Sequence, residues 1–273
     1  MKRRTKESAA VTGNQTPAIA RGNRLMRELK QGIDDYLAST SDRRSVPIVN
    51  LQCDVDHPTQ TLADLLWLEE HFGGSISGRR IAVSWAYAPS YAKPLSVPQG
   101  LITLLTRFGA HVTLAHPEGY RLLDAPAAHA HANAAASGGS FRVVDSMDEA
   151  FRGADAVYPK SWGPYELMLE RIGANQAGDS AKMADIERRA LARNARFQDW
   201  ICDERRMALT AGGEALYLHC LPASIGAEVT PGVMDKYRLA VAREANKKVY
   251  VIMALLAAAK VPGLAQRLET LAA

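Results

Sequence analysis

The chain has 273 residues, of which 47% are hydrophobic and 23% charged, and its formal net charge is +4. These values are typical of an ordinary globular protein with an ample core. The basic residues are spread along the chain rather than gathered into a stripe, which argues against nucleic acid as a partner. No run approaches the roughly 18 apolar residues of a membrane span, so no membrane partner is predicted.

Three cysteines, Cys53, Cys202 and Cys220, are far apart and form no CxxC pair. This spacing argues against a disulfide framework and against a zinc ribbon. Free thiols are typical of a reducing compartment, so the sequence predicts a cytoplasmic protein.

The first predicted elements follow a polar, aperiodic stretch, residues 1–22, which we expect to be disordered. Its Lys and Arg residues could mimic an organelle transit segment, a less favoured alternative because no apolar core follows. Residues 23–37 have the apolar spacing of a helix. Residues 45–51 form a short apolar run that suits a buried strand.

The next predicted helix begins at Asp56, which can cap it, with Pro58 in the first turn, where proline is favoured. Gly73-Gly74 ends this helix. Further along, Ser146 with Glu149 three residues later resembles a capping box.

Strands and helices alternate from residue 79 onward. The predicted strands cover residues 81–85, 112–115, 141–144, 154–158, 215–219 and 238–242. The predicted helices cover residues 97–108, 123–136, 164–211 with at least one break, 244–260 and 263–271. This alternation predicts an α/β fold with a doubly wound, mainly parallel sheet. In such sheets ligands bind beyond the carboxyl ends of the strands.

Two short motifs lie where the chain turns near predicted strand ends. His57-Pro58-Thr59-Gln60 offers an imidazole and an amide at a helix start, where the first N–H groups attract anions. His219-Cys220-Leu221-Pro222 follows a strand, and Pro222 restricts Leu221 to an extended conformation, so that backbone carbonyls can point into a cleft. The plain alternatives are an incidental histidine at a helix start and a buried small thiol at a strand end.

Other polar and aromatic side chains lie at predicted strand ends. Trp85, Lys160 and Trp162 could form a pocket wall, although core packing explains the tryptophans nearly as well. Lys248, near a predicted helix start, could neutralise a phosphate, or it is simply solvated. His129 and His131 lack further ligands, so no metal site is predicted. The sequence has no GxGxxG motif and no Walker loop, so nucleotide binding has no support.

In this order, the motifs resemble those of the aspartate/ornithine carbamoyltransferase family, whose HPxQ and HCLP motifs flank carbamoyl phosphate. The similarity is closer to the knotted branch, which contains the N-acetyl- and N-succinylornithine enzymes and the YgeW-type proteins. The segments that carry this closer similarity are residues 51–60, 84–87, 93–100 and 158–162. The resemblance implies the amino-acid-binding domain of these enzymes, with a trefoil knot in the backbone.

The resemblance also implies roles for individual residues. His57 would donate to the carbamoyl oxygen and Gln60 would hold the carbamoyl group. The Cys220 side chain and the Leu221 carbonyl would bind the carbamoyl NH₂ group, with His219 beside them, and Lys248 would stand near the phosphate. Trp85, Lys160 and Trp162 would face an amino-acid-like amine. The implied reaction needs no metal and no organic cofactor, and it occurs in homotrimers.

Before HPxQ, members of this family carry a whole carbamoyl phosphate domain, with a Ser-x-Arg-Thr-Arg loop that binds the phosphate and a surface that forms the trimer. No such loop occurs among the fifty-six residues before His57. We therefore expect residues 23–60 to be a remnant of that domain and residues 61–243 to be the amine-substrate domain. Residues 244–273 would form helices that pack on the carbamoyl phosphate domain.

This domain organisation predicts exposed apolar side chains in residues 46–51 and 249–256, and weak binding of carbamoyl phosphate. The loop after HCLP also shortens to residues 224–227, which removes contacts to the amine. The first hypothesis is thus carbamoyl transfer, with little turnover expected. The alternative is a non-catalytic remnant or binding subunit that associates with another chain. A third, a thiol hydrolase using Cys220 with His219, is disfavoured because adjacent strand residues point to opposite faces.

Overall fold

The structure is a computed structural model that describes residues 21–272. Most of the stretch expected to be disordered lies outside these residues. Arg21 and Gly22 are described, and they belong to the first helix.

Five strands form one parallel sheet. They are β1 (Arg80–Trp85), β2 (His111–Ala115), β3 (Ser140–Val144), β4 (Ala156–Lys160) and β5 (Leu216–Tyr217). Their spatial order is β3-β2-β1-β4-β5, with every neighbouring pair parallel. The chain therefore builds outward from β1 to β3 and then returns to β4 on the other side of β1. This reversal makes the sheet doubly wound, as predicted.

Helices connect and cover the strands. They are α1 (Arg21–Ser39), α2 (Pro58–Phe72), α3 (Ser96–Arg107), α4 (Asp124–Ser137), α5 (Met147–Phe151), α6 (Tyr165–Ala177), α7 (Ser180–Asn194), α8 (Glu204–Met207), α9 (Pro231–Lys260) and α10 (Leu264–Ala272). Right-handed crossovers place α3 and α4 on one face of the sheet, and the return from β3 to β4 places α5 on the other. Strand β4 is buried along its whole length, as a strand covered on both faces must be.

Several local predictions are confirmed. Ser146 caps α5 by accepting a hydrogen bond from the Glu149 backbone N–H. Gly73 ends α2 in the left-handed conformation, with φ 78°, which a residue without a Cβ adopts at no steric cost. The predicted helical stretch after β4 is broken, as expected, into α6, α7 and the short α8.

Two predicted strands are wrong. Residues 45–51 form no strand, because this segment finds no neighbouring strand in the described part of the chain, and Val46 and Leu51 are exposed. Residues 238–242 lie inside α9. That helix begins earlier than predicted because Thr230 caps it and Pro231 occupies its first turn. Its buried side chains recur every three or four residues, the period of a helix rather than of a strand.

Helix α9 runs for 30 residues without a break, across the boundary predicted between residues 243 and 244. It packs against α2 and β5, and its buried side chains lie between Val233 and Glu244. Its second half carries large apolar side chains in contact with solvent: Val249, Tyr250, Met253 and Leu256 are each at least 50% exposed. The expected exposure of apolar side chains in residues 46–51 and 249–256 is therefore confirmed.

No single helix of the described chain is long and apolar enough to cross a membrane. Helices α9 and α10 meet the requirements of length and composition only as a pair, and the pair is bent by 114°.

Candidate active site

The His57-Pro58-Thr59-Gln60 segment opens helix α2. His57 is the N-cap residue, and Pro58 is the first helical residue. The predicted cap, Asp56, is wrong by one position: its carboxylate accepts a hydrogen bond from the His57 backbone N–H at 2.7 Å, and no side chain caps the helix. The positive end of α2 is thus left without a capping carboxylate, and it can attract an anion.

The imidazole of His57 is half-buried beside Lys248. Burial and the positive charge of Lys248 lower the pKa of His57 to about 4. The ring is therefore neutral at pH 7, with one N–H to donate and one nitrogen that accepts. Its Nδ1 atom is buried and has no hydrogen-bond partner among the described residues. A neutral imidazole of this kind can donate a hydrogen bond to a carbonyl oxygen.

The amide of Gln60 is almost completely buried in the first turn of α2. Its Nε2 atom donates to Asp64 Oδ1, one turn later, at 2.7 Å. Its Oε1 atom is buried and finds no hydrogen-bond partner in the described structure. Because the donor side of the amide is occupied, the free side is an acceptor, which matches an NH₂ group.

The second motif forms a tight turn after β5. Leu221 has φ 51°, in the left-handed region, and the Leu221–Pro222 bond is cis. The extended conformation predicted for Leu221 is therefore wrong. The Leu221 backbone N–H donates to His219 Nδ1 at 2.9 Å, and this contact curls the chain back on itself two residues after the histidine.

The side chain of His219 is fully buried, and burial lowers its pKa. The ring is therefore neutral. Since Nδ1 accepts the bond from Leu221, the proton is on Nε2, which lies 3.6 Å from Glu228 Oε2. Both ring nitrogens of His219 are thus directed at groups that shape the turn.

The thiol of Cys220 is protonated at neutral pH, because burial raises its pKa to about 11. The Tyr158 side chain is one of its neighbours. A thiol nucleophile needs the opposite environment, one that lowers its pKa. The geometry therefore argues against the thiol hydrolase, and the protonated Cys220 is suited to binding rather than attack.

This environment predicts slow chemistry at Cys220. With its pKa raised from 9.0 to about 11, we expect alkylation by iodoacetamide at pH 7.5 to be about 100-fold slower than that of an ordinary thiol. The measurement is mass-spectrometric alkylation kinetics of the Cys220 peptide, with the peptides of Cys53 and Cys202 followed in the same digest. Rapid labelling of Cys220 at neutral pH would contradict this expectation and would support the hypothesis of a thiol hydrolase.

A buried carboxylate, Glu228, joins the turn to two lysines. Its oxygens accept hydrogen bonds from the backbone N–H groups of Ser161 and Ser224, each at 2.7 Å. Lys93 Nζ donates to it at 2.8 Å, and Lys160 Nζ lies 3.6 Å away. The sequence predicted Lys160 as a site residue and missed Lys93 and Glu228.

The ionisation of this cluster follows from its contacts. Burial opposes the charge on Glu228, but the contact with His219 and the charges of Lys160 and Lys93 outweigh it and hold the pKa of Glu228 far below its usual value. Burial, together with the charge of Lys160, lowers the pKa of Lys93. Two ammonium groups and one carboxylate leave this corner of the site with a net positive charge.

Two carboxyl groups that the sequence analysis missed lie between the two motifs. Asp64 on α2 and Glu244 on α9 are fully buried, and each carboxyl shifts the pKa of the other, so the two side chains interact. Glu244 Oε2 also accepts a hydrogen bond from the His219 backbone N–H at 3.0 Å. The contacts therefore run without interruption from Gln60, through both carboxyls, to His219, so the structure brings the two motifs together. The spacing of Gln60 and Asp64, four residues apart on a helix, was the available sequence signal.

Lys248 lies in the middle of α9, one turn after Glu244, and not near a helix start as predicted. Its charge acts on His57, Asp64 and Glu244 alike. Lys248 is therefore near His57 as well as near the two carboxyls, and its contact with a phosphate stays a prediction.

The two tryptophans are core residues. Trp85 and Trp162 have no exposed surface, and their indole N–H groups donate to the backbone carbonyls of Trp162 and Tyr120 at 2.9 and 2.7 Å. Their polar atoms are already used, so a contact with an amine would involve ring carbons only. That contact stays a prediction.

A cavity of about 320 Å³ is lined in part by Ala92 and Pro94, the chain neighbours of Lys93. Pro94 and Leu95, which directly follow Lys93, form one wall, and Asp54, three residues before His57, forms part of another. The remaining wall is helix α6, which contributes mostly apolar side chains together with Arg171 and Asn175. The cavity can hold an apolar side chain with a polar end. In the described part of the chain, no three His, Cys, Asp or Glu side chains are grouped to hold a metal ion.

Residues 95–259 match the family model for the Asp/Orn binding domain of aspartate/ornithine carbamoyltransferases. The chain belongs to the aspartate/ornithine carbamoyltransferase family. It is 53% identical over 251 residues to the putative carbamoyltransferase YgeW of Escherichia coli K12. That match covers 89% of this chain and 63% of the relative. It is 35% identical over 229 residues to an N-acetylornithine carbamoyltransferase of Xanthomonas campestris, covering 82% of this chain and 61% of the relative.

Solved structures agree. A variant of N-acetyl-L-ornithine transcarbamylase, crystallised with carbamyl phosphate and N-succinyl-L-norvaline, superposes with a TM-score of 0.67 at 33% identity. The match covers 84% of this chain and 64% of that one. The chain thus spans slightly less than two thirds of the length of these relatives, and the matched region contains both motifs.

Proposed function

We propose that this chain transfers the carbamoyl group of carbamoyl phosphate to the amine of an amino-acid-like compound. The observation that carries the proposal is the convergence of a neutral His57 imidazole and the free Gln60 acceptor with the turn that contains Cys220 and Leu221. Together they present a hydrogen-bond donor for a carbonyl oxygen and acceptors for an NH₂ group.

In this proposal the amine attacks the carbamoyl carbon, a C–N bond forms, and the C–O bond to phosphate breaks. The amine loses a proton, which the leaving phosphate takes up, so that inorganic phosphate is released. His57 donates to the oxygen as negative charge develops on it, which stabilises the transition state. Lys248 and the start of α2 attract the phosphate. The net positive charge around Lys93 attracts the carboxylate of the amine, and the adjoining cavity takes its side chain.

The test follows transfer of the labelled carbamoyl group from carbamoyl phosphate to a panel of amino acids and their N-acyl derivatives. We expect His57→Ala to lower the rate by about 100- to 1,000-fold, the usual effect of losing one donor to a developing oxyanion. Calorimetry is expected to give a Kd for carbamoyl phosphate of about 1 mM or weaker, because the positive charge that acts on His57 comes from Lys248 and not from an arginine clamp. Equal turnover by His57→Ala would contradict the proposal.

The exposed apolar side chains of α9 favour a second candidate, a binding subunit that associates with another chain. It predicts binding of an amino acid without any labelled product, and a complex that is detectable by light scattering with a second chain present. We further propose that the protein acts in the cytoplasm, which is supported by its free cysteines.

A further inference from the structure

Each of the two buried carboxyl groups holds one of the motifs. On α2, Asp64 Oδ1 accepts from Gln60 Nε2 at 2.7 Å, which fixes the orientation of the amide. On α9, Glu244 Oε2 accepts from the His219 backbone N–H at 3.0 Å, which fixes the start of the Cys220 turn. One oxygen of each carboxyl is therefore occupied by a different half of the site.

The two remaining oxygens, Asp64 Oδ2 and Glu244 Oε1, are buried and accept no bond from any N–H or O–H group of the described chain. The two carboxyl groups nevertheless interact with each other, since each shifts the pKa of the other. Two carboxylates are both acceptors, so a bond between them requires a proton on one of them. Burial raises the pKa of Asp64 to about 6 and raises that of Glu244 well above its usual value, as a retained proton requires.

The charged and titratable neighbours agree with a single shared proton. Tyr158 on β4 and Cys220 after β5 face the pair, and burial raises the pKa of both, so they are neutral near pH 7. Lys248 on α9 supplies the positive charge, with the neutral His57 on its other side. A pair with one proton carries one negative charge, which Lys248 balances, whereas two ionised carboxylates would leave a buried excess charge.

We propose that Asp64 and Glu244 are a positioning pair: they share one proton, lock the Gln60 amide with its oxygen toward the carbamoyl NH₂ group, and join the HPTQ helix start to the HCLP turn. The part that concerns the carbamoyl group rests on the proposed function, whereas the shared proton does not. Without Asp64, the buried Gln60 Nε2 would lose its acceptor. The amide would then be free to rotate, and its NH₂ group would face the NH₂ group of the carbamoyl.

The first measurement concerns the proton and needs no activity. In the full chain labelled with ¹³C at the Asp and Glu side-chain carboxyls, we expect one resonance at the position of a protonated acid at pH 7. This resonance should shift or disappear in both Asp64→Asn and Glu244→Gln, and it should stay unchanged in Asp148→Asn. Asp148 is a suitable control because it pairs with Arg205 and Arg206 away from the site. Two ionised resonances for Asp64 and Glu244 would overturn the proposal.

The second measurement titrates carbamoyl phosphate into the variants by calorimetry. Asn at position 64 keeps an acceptor for Gln60 and an N–H for Glu244, so Asp64→Asn should bind within about threefold of the original chain. Leu has a similar size and neither group, so Asp64→Leu should bind at least about tenfold more weakly. If circular dichroism shows that Asp64→Leu does not fold, Glu244→Gln and Glu244→Met provide the same comparison between an amide variant and an apolar variant.

Equal binding by the amide and apolar variants would show that the pair does not position Gln60. If the original chain itself binds no carbamoyl phosphate, the proposed function fails, while the ¹³C spectra still decide whether the proton is shared.

Discussion

Replacing Glu228 by glutamine is expected to lower the free energy of unfolding by about 3–5 kcal/mol, the usual effect of breaking a buried ion pair from one side. The reason lies in what remains: Lys93 and Lys160 would keep their charges in a mostly buried cluster without a carboxylate. Glutamine has one acceptor oxygen, and it cannot serve both Ser161 and Ser224, which now use different oxygens of Glu228.

Urea unfolding at pH 7 measures this effect, and Glu214→Gln is the matched control. Glu214 also pairs with a lysine, Lys236, at 2.7 Å, but both side chains are at least half exposed, so little change is expected. Adding Lys93→Met to Glu228→Gln should restore part of the stability, because it removes one unpaired charge. A loss as small as that of Glu214→Gln would show that water already screens the cluster.

The pH dependence has a definite sign. The pKa of Glu228 is lower in the folded chain than its ordinary value of 4.5. Its stabilising contribution is therefore complete above the unfolded pKa and is lost as the pH falls through 4.5 toward the folded pKa. The original chain should lose this contribution on acidification, and Glu228→Gln should lack that part of the acid dependence.

Replacing Trp85 by alanine should destabilise the chain by about 3–5 kcal/mol, the usual loss for a large buried aromatic side chain. The ring has no exposed surface and packs against Tyr120 and Trp200, with ring centroids 4.4 and 6.0 Å away. The substitution would leave a cavity at the carboxyl end of β1 and an unsatisfied carbonyl at Trp162.

A gentler pair of variants separates packing from hydrogen bonding. Trp85→Phe loses the bond to Trp162, whereas Trp67→Phe loses none, since the buried Trp67 N–H has no acceptor among the described residues. We expect Trp85→Phe to cost about 1–3 kcal/mol more than the control, measured by urea unfolding followed by far-ultraviolet circular dichroism. If Trp85→Phe instead leaves stability unchanged and weakens amine binding, then the indole contacts the substrate, as the resemblance implies.

The strands of the sheet were predictable because their apolar runs are bounded by turns and alternate with helices. Residues 238–242 were wrongly predicted as a strand because the short apolar run around Leu239 and Val241 has the pattern of one. The helix that contains them starts eight residues earlier, at the cap formed by Thr230. The strand predicted over residues 45–51 was wrong for a different reason. An apolar run becomes a strand only beside another strand, and the sequence does not say where its neighbours lie.

The site was predictable to the extent that its residues form contiguous motifs. His57, Gln60 and Cys220 were predicted in this way, and the contacts through Asp64 and Glu244 connect the two motifs that contain them. Asp64 and Glu244 were missed because nothing in the sequence around either residue distinguishes its helix from an ordinary one. Each carboxyl has a role only beside the other, which is 180 residues away. Burial turns these two carboxyls from surface groups into partners, and single-sequence patterns do not report burial of that kind.

Helix α9 gives the site an unusual mechanical property. Glu244 and Lys248 are one turn apart on an unbroken rod that is about 45 Å long. Its buried side chains lie between Val233 and Glu244, whereas Met253 and Leu256 near its end are exposed to solvent. Because both groups are on one continuous helix, any displacement of α9 would move the carboxyl that accepts from His219 and the ammonium group near His57 together.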